Sequence, residues 1–165
     1  MTVSNTNFFQ PTGFRLVIDR ENYPNLEFFV NSVMHPSVSS MSADNPSFRR
    51  IQSVPMPGDK LEFSEVTFDL MLDEEFAAYN EVYNWMQRIV EKKYTTQTQA
   101  TTALPSSEAD ITLLMLNSNN NQEKKFVYRN AFPTNLGDLS MAANQGGAEP
   151  IFFPVSFRYT YFEVV

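Results

Sequence analysis

The sequence predicts a mainly β protein, a β-sandwich or barrel with one α-helix packed alongside. Three observations carry this. Residues 14–18 and 151–161 alternate apolar and polar side chains with a period of two, as a half-buried strand requires. Residues 73–93 instead repeat apolar side chains at spacings of three and four, the mark of an amphipathic helix. The chain holds fifteen Phe and seven Tyr but only five Gly, a composition that suits pleated structure and large contact surfaces. At 165 residues it is expected to form a single domain, residues 1–165, with a core that needs no metal or crosslink.

The elements follow in order. Residues 1–12 read as a polar arm carrying Phe8 and Phe9. Residues 14–18 are a strand, with Phe14, Leu16 and Ile18 on one side. A turn at Tyr23, Pro24 and Asn25 leads to a second strand over residues 26–33, and the two are expected to pair as a hairpin. Residues 37–60 are rich in Ser, Pro and Asn and close on Pro57-Gly58-Asp59, so they read as an excursion from the domain. Its middle, residues 48–54, suits a projecting hairpin or a loop equally. Residues 61–72 form a strand whose apolar phase slips between Phe63 and Val66, and a bulge near Ser64 and Glu65 would bring both halves to one face.

In the helix over residues 73–93, Phe76, Tyr79, Tyr83, Met86 and Val90 form the expected stripe, with Trp85 off its centre. Asp73 can cap the first turn, and Glu74 and Glu75 suit the positive end of the dipole. Residues 95–107 are a polar loop and residues 111–116 a central strand, apolar on both faces. A turn over residues 117–122 leads to a returning strand over residues 125–131. The closing strand, residues 151–165, places Phe153, Val155, Phe157, Tyr159 and Tyr161 on one face. Six to eight strands in all are expected.

Composition excludes several function classes. A net charge of −7 opposes a phosphate-neutralising surface, and the doublets Arg49-Arg50, Lys92-Lys93 and Lys124-Lys125 are too scattered to make one groove. With no cysteine and a single histidine, His35, neither a disulfide framework nor a typical zinc site can form. No nucleophile elbow or phosphate-binding glycine loop occurs. The carboxylates read as a solvated strand face (Glu62, Glu65, Asp69) and as dipole compensation at the helix start. No catalytic residue, cofactor site or metal site is expected, and the chain is not expected to be an enzyme. Residues 1–10 lack the pattern of a signal peptide, and no apolar run is long enough to span a bilayer. The expectation is a soluble protein made in the cytoplasm.

Residues 132–139 read Phe-Pro-Thr-Asn-Leu-Gly-Asp-Leu, and the chain closes on Phe157-Arg158-Tyr159-Thr160-Tyr161-Phe162. On physical grounds Pro133, Thr134, Asn135, Gly137 and Asp138 make a corner between sheets: Pro133 fixes one φ, Asn135 can close a turn, and Gly137 admits conformations closed to other residues. The pair of segments resembles the C-terminal signature of tail tube proteins from contractile-tailed bacteriophages (myoviruses). The upstream order, with a Pro-Gly excursion and one Trp-bearing helix, is similar too.

The resemblance implies a tail-tube-like fold and a structural role. Copies would join into stacked, hexameric rings in the virion, assembled in the host cytoplasm, through which DNA passes without specific binding. Tail sheath and baseplate proteins would be partners, with no membrane insertion of the monomer. It implies ring-stacking contacts at Arg49, Arg50, Ile51 and Met56, intra-ring contacts at Trp85 and Arg88, and a place for Glu62, Glu65 and Asp69 either lining the lumen or on the outer surface. A baseplate or tail-completion protein of the same fold, or the tube protein of a bacterial contractile injection system, is the alternative. From a different class, the aromatic content would also suit a barrel enclosing a small apolar ligand.

Overall fold

The computed structural model describes residues 9–19, 22–45, 54–94, 107–142 and 150–165. It is mainly β. The strands are β1 (Phe14–Val17), β2 (Val30–Met34), β3 (Val38–Asn45), β4 (Val54–Phe63), β5 (Val66–Met71), β6 (Ala109–Leu116), β7 (Gln122–Leu136), β8 (Phe152–Arg158) and β9 (Tyr161–Val164). Two helices join them, α1 (Pro24–Phe28) and α2 (Ala77–Tyr94). Seven strands run in the order β1-β6-β7-β8-β5-β2, with β9 also on β7, and β3 and β4 form a separate ribbon. All neighbours are antiparallel.

β7 is long enough to serve two sheets. Its first part lies between β6 and β9, and its second part pairs with β8. The bend falls at Asn130, whose φ of 54° is left-handed, a region that Asn tolerates better than most residues. Asp110 fixes it: one carboxylate oxygen accepts from the Asn130 backbone N–H at 3.1 Å, the other from Arg129 at 2.6 Å. Arg129 also donates to Glu163 of β9, so the corner is tied on both sides. Among the described residues the sheets remain open, and neither closes into a barrel.

The core lies on one face of this bent sheet, beneath α2. Val66, Phe68, Leu70, Phe153, Val155 and Phe157 are fully or almost fully buried there, as the period of two in β5 and β8 requires. Trp85 fills the space between sheet and helix. Its ring stacks on Tyr23 at 4.2 Å between centroids, and its indole N–H donates to the Ser107 carbonyl at 2.9 Å.

Several expectations are corrected. β1 and β2 do not form a hairpin: β1 pairs with β6 and β2 with β5, at opposite edges of the seven-stranded array. Part of the expected second strand is α1, with Pro24 in its first turn. The cap of α1 comes from far along the chain, because Glu81 of α2 accepts from the Asn25 amide group at 2.6 Å and from the Leu26 N–H at 3.2 Å. Residues 61–72 are not one bulged strand; they break at Ser64 and Glu65 between β4 and β5, which lie in different sheets.

The buried stripe of α2 is Ala78, Val82 and Trp85, whereas Tyr83 and Val90 of the expected stripe are about half exposed. Asp73 does cap this helix, accepting from the Ala77 N–H at 3.1 Å. The corner lies at Asn130, ahead of the Pro-Thr-Asn segment, which is extended within β7. Gly137 has no positive φ; its requirement is steric, since a Cβ there would collide with the Pro154 ring. The final alternation slips at Tyr159 and Thr160, so Phe162 packs inward and Tyr161 is exposed.

Candidate assembly surfaces

Three surfaces carry what the packed core leaves unsatisfied. The first is the outer face of the sheet formed by β2, β5, β8 and the second part of β7. Register places Ser32, Asp69 and Pro154 in one row across it, and Met34, Thr67, Ser156 and Asn135 in the next. Arg158 and Phe132 follow at the corner. The face carries short polar side chains beside Met34, Phe132 and Arg158. Ser32 donates its hydroxyl to the Asp69 carboxylate, Thr67 and Ser156 share a hydrogen bond at 3.1 Å, and Arg158 pairs with Glu65 at 3.2 Å. Among the described residues, β2 has a partner only in β5, and residues 132–136 of β7 only in β8. Both edges of this four-stranded unit are therefore open, a row of unpaired backbone groups on each side.

The second surface is the β3–β4 ribbon. It leaves the sheet at Ser37 and Ser64, which are joined by backbone and side-chain hydrogen bonds of 2.8–3.4 Å. An aromatic cluster holds the root. His35 Nδ1 lies 2.8 Å from the Tyr128 hydroxyl, with its ring on Phe126 at 4.5 Å and Phe162 at 5.2 Å. Phe63 packs on Phe162, and the Tyr159 hydroxyl donates to the Ser64 carbonyl at 3.0 Å. Desolvation by these rings lowers the His35 pKa, favouring neutral imidazole, and pushes the Tyr159 phenol up to about 12. Beyond the root the ribbon is exposed, with Val38, Met41, Met56 and Leu61 all at least 46% accessible.

The third is a cleft of about 600 Å³ at the β6–β7 turn, lined by Phe9, Met115, Leu116 and Phe126, with Glu123 and Lys124 also in its lining. The turn itself is built by Asn117, whose side-chain oxygen accepts from the N–H groups of Asn119 and Asn121 at 3.0 Å, with Asn120 at a φ of 58°.

Met56 is half exposed on β4, while Arg49, Arg50 and Ile51 lie outside the described residues, as do residues 1–8 of the arm. Trp85 is completely buried inside the chain, so it serves the core of the protomer instead of reaching a neighbour. Arg88 is also turned inward, donating to the Tyr23 hydroxyl at 2.7 Å with its guanidinium over that ring. Glu62 sits on the ribbon, Glu65 in the break and Asp69 on β5, so the three carboxylates do not share a strand. Only Glu65 and Asp69 border the polar face. In the corner motif Pro133 is buried, Thr134 donates to the Ser156 carbonyl at 3.2 Å, and Asn135 and Asp138 are exposed. The cleft, and which strands form the open edges, escaped sequence reasoning, because both depend on which strands become neighbours. No group of three metal-ligating side chains occurs among the described residues, and no helix there is long and apolar enough to cross a membrane.

Residues 4–165 match the model of a family described as phage tail tube protein. Comparison with curated proteins gives no significant match. Among solved structures, the chain is similar to a chain in the structure of the sheath/tube terminator of an extracellular contractile injection system in its extended state, with a TM-score of 0.64 at 14% identity, covering 99% of each chain. A chain of the anti-feeding prophage tube-terminating cap gives 0.64 at 14% identity, over 100% of this chain and 95% of that one. A chain of the anti-feeding prophage baseplate gives 0.63 at 11%, over 100% and 97%. At these identities the likeness is one of fold.

Proposed function

The chain belongs to the phage tail tube protein family, and from that premise we propose that it is the repeating subunit of a tail tube, a structural protein that acts by self-assembly and catalyses nothing. The observation that carries this is the four-stranded unit open at both edges. β2 of one copy pairs with residues 132–136 of the next, so each copy adds four strands to a shared barrel and ring closure removes both open edges of the unit. Six copies at a strand spacing of about 4.8 Å give a barrel about 37 Å across between backbones. The core face of the unit is already covered by α2, so its polar face turns to the lumen.

Glu65, Asp69 and the hydroxyls of Ser32, Thr67 and Ser156 then line a conduit without a basic patch, over which viral DNA slides without adhering. Glu62 and Met56 lie on the ribbon and belong to ring stacking, together with Arg49, Arg50 and Ile51. Sheath and baseplate proteins are the partners of the outer wall and the tube ends, and the assembled location is the phage tail.

Electron microscopy of the purified full-length chain tests this. Rings of six, stacked into tubes, are expected. Met34→Lys, on the open β2 edge and 72% exposed, is expected to abolish rings without unfolding the monomer. A monomer that persists at every concentration would refute the reading. Stoichiometry in the particle separates a tube repeat from a terminator or baseplate protein of the same fold, since a repeat is present in many copies per tail.

A further inference from the structure

The ribbon and the cleft are complementary surfaces on one molecule, and we propose that the cleft at the β6–β7 turn is the receptor for the β3–β4 ribbon of a second copy. This rests on the tube reading and supplies the half of the stacking contact that it leaves unspecified.

The first ground is shape and polarity. Met56 pairs across the ribbon with Ala43, two residues along β3 from Met41. Met41 and Met56 are each 50% exposed. Methionine is suited to fill an irregular apolar recess, because its unbranched, polarizable side chain adapts. The cleft supplies such a recess, walled by Phe9, Met115, Leu116 and Phe126.

The second ground is charge. The ribbon carries Asp59 and Lys60 side by side, both exposed. The cleft carries Glu123 and Lys124 side by side, also exposed. Opposed antiparallel, Asp59 meets Lys124 and Lys60 meets Glu123, and the parallel arrangement sets like against like. Such pairs contribute more to choice of partner and register than to raw affinity.

The third ground is repetition. Phe126 lines the cleft and also packs its ring on His35 at the root of the chain's own ribbon. A ribbon seated in the cleft therefore lies against the root of the next ribbon. The contact is head-to-tail, uses two different patches, and repeats without limit, as a stacked tube requires.

The test is charge reversal in the full-length chain, read by light scattering and electron microscopy. Asp59→Lys and Lys124→Glu alone are each expected to raise the concentration needed for tube growth about tenfold, and the double variant to return it to within about threefold of the original. Both residues are exposed, so the melting temperature should not move. Met56→Asp, uncompensated, is expected to abolish stacking while rings persist. Original-length tubes from all four variants, or a double variant no better than the singles, overturn the docking assignment and leave the tube reading intact. A wild-type chain that never forms rings or tubes overturns both.

Discussion

The β5–β8–α2 layer and the β3–β4 ribbon are built from the same chain on opposite terms. In the first, alternate residues of both strands are buried to within a few per cent, and Trp85 closes the gap to the helix. In the second, paired backbones carry side chains that face water, held at the root by the aromatic cluster and the Ser37–Ser64 hydrogen bonds. A two-stranded ribbon is at best marginally stable alone in water. The core side of the layer completes itself within one molecule, whereas on the proposed reading the ribbon is completed by another copy. The division between fold and function in this chain therefore runs between two regions instead of between a scaffold and an active site.

The largest test of that contrast sets Trp85→Ala against Leu61→Ala. The first empties the junction of Tyr23, Phe157 and the Ser107 carbonyl and is expected to cost about 3–5 kcal/mol in urea unfolding. The second removes a side chain 62% exposed on the ribbon and should change stability by no more than about 0.5 kcal/mol. Equal effects would erase the distinction.

The glycines sharpen it. At Gly137 an added Cβ would meet the Pro154 ring and sit 2.8 Å from the Pro154 carbonyl oxygen, where β7 passes β8. Gly137→Ala is expected to cost about 1–3 kcal/mol in the same assay. At Gly58 the added carbon would fall on the Met41 carbonyl oxygen of the facing strand. Gly58→Ala must distort the ribbon, so its expected effect is shorter tubes with monomer unfolding almost unchanged.

The strands were legible wherever one face was buried by a neighbour in the same layer. The alternation of Phe153, Val155 and Phe157 is read correctly from sequence because β8 is covered on one side only. The helix was legible in extent but not in aspect. Tyr79, Tyr83, Met86 and Val90 lie one residue round from Ala78, Val82, Trp85 and Ile89, so α2 is apolar over a wide arc and its period cannot choose the buried side. α1 was hidden because its cap is Glu81, more than fifty residues away. The supposed β1–β2 hairpin failed for the same reason, since nearness in sequence was outweighed by pairing with β6 and β5. For the corner motif, the residues were found and their role was misplaced: the left-handed residue is Asn130, and the glycine is a close approach. The assembly surfaces are the least legible, because an open edge is a property of the sheet order and no residue type marks it.

The smallest expected effect lies on the boundary between the two regions. His35 joins the ribbon root to Tyr128, and burial against Phe126 and Phe162 lowers its pKa below the ordinary 6.5. The unfolded chain, with the ordinary value, binds the proton more readily than the folded one. Stability is therefore full above about pH 6.5 and falls as pH drops from there to the depressed folded value, below which the loss is constant. His35→Gln can keep a hydrogen bond to the Tyr128 hydroxyl but cannot titrate, so unfolding measured between about pH 5 and 7 should lose this slope. If the root belongs to the packed layer, the slope appears in global unfolding of the monomer. If it belongs to the ribbon, protonation frees the root without touching the core, and the slope appears only in hydrogen exchange of β3 and β4.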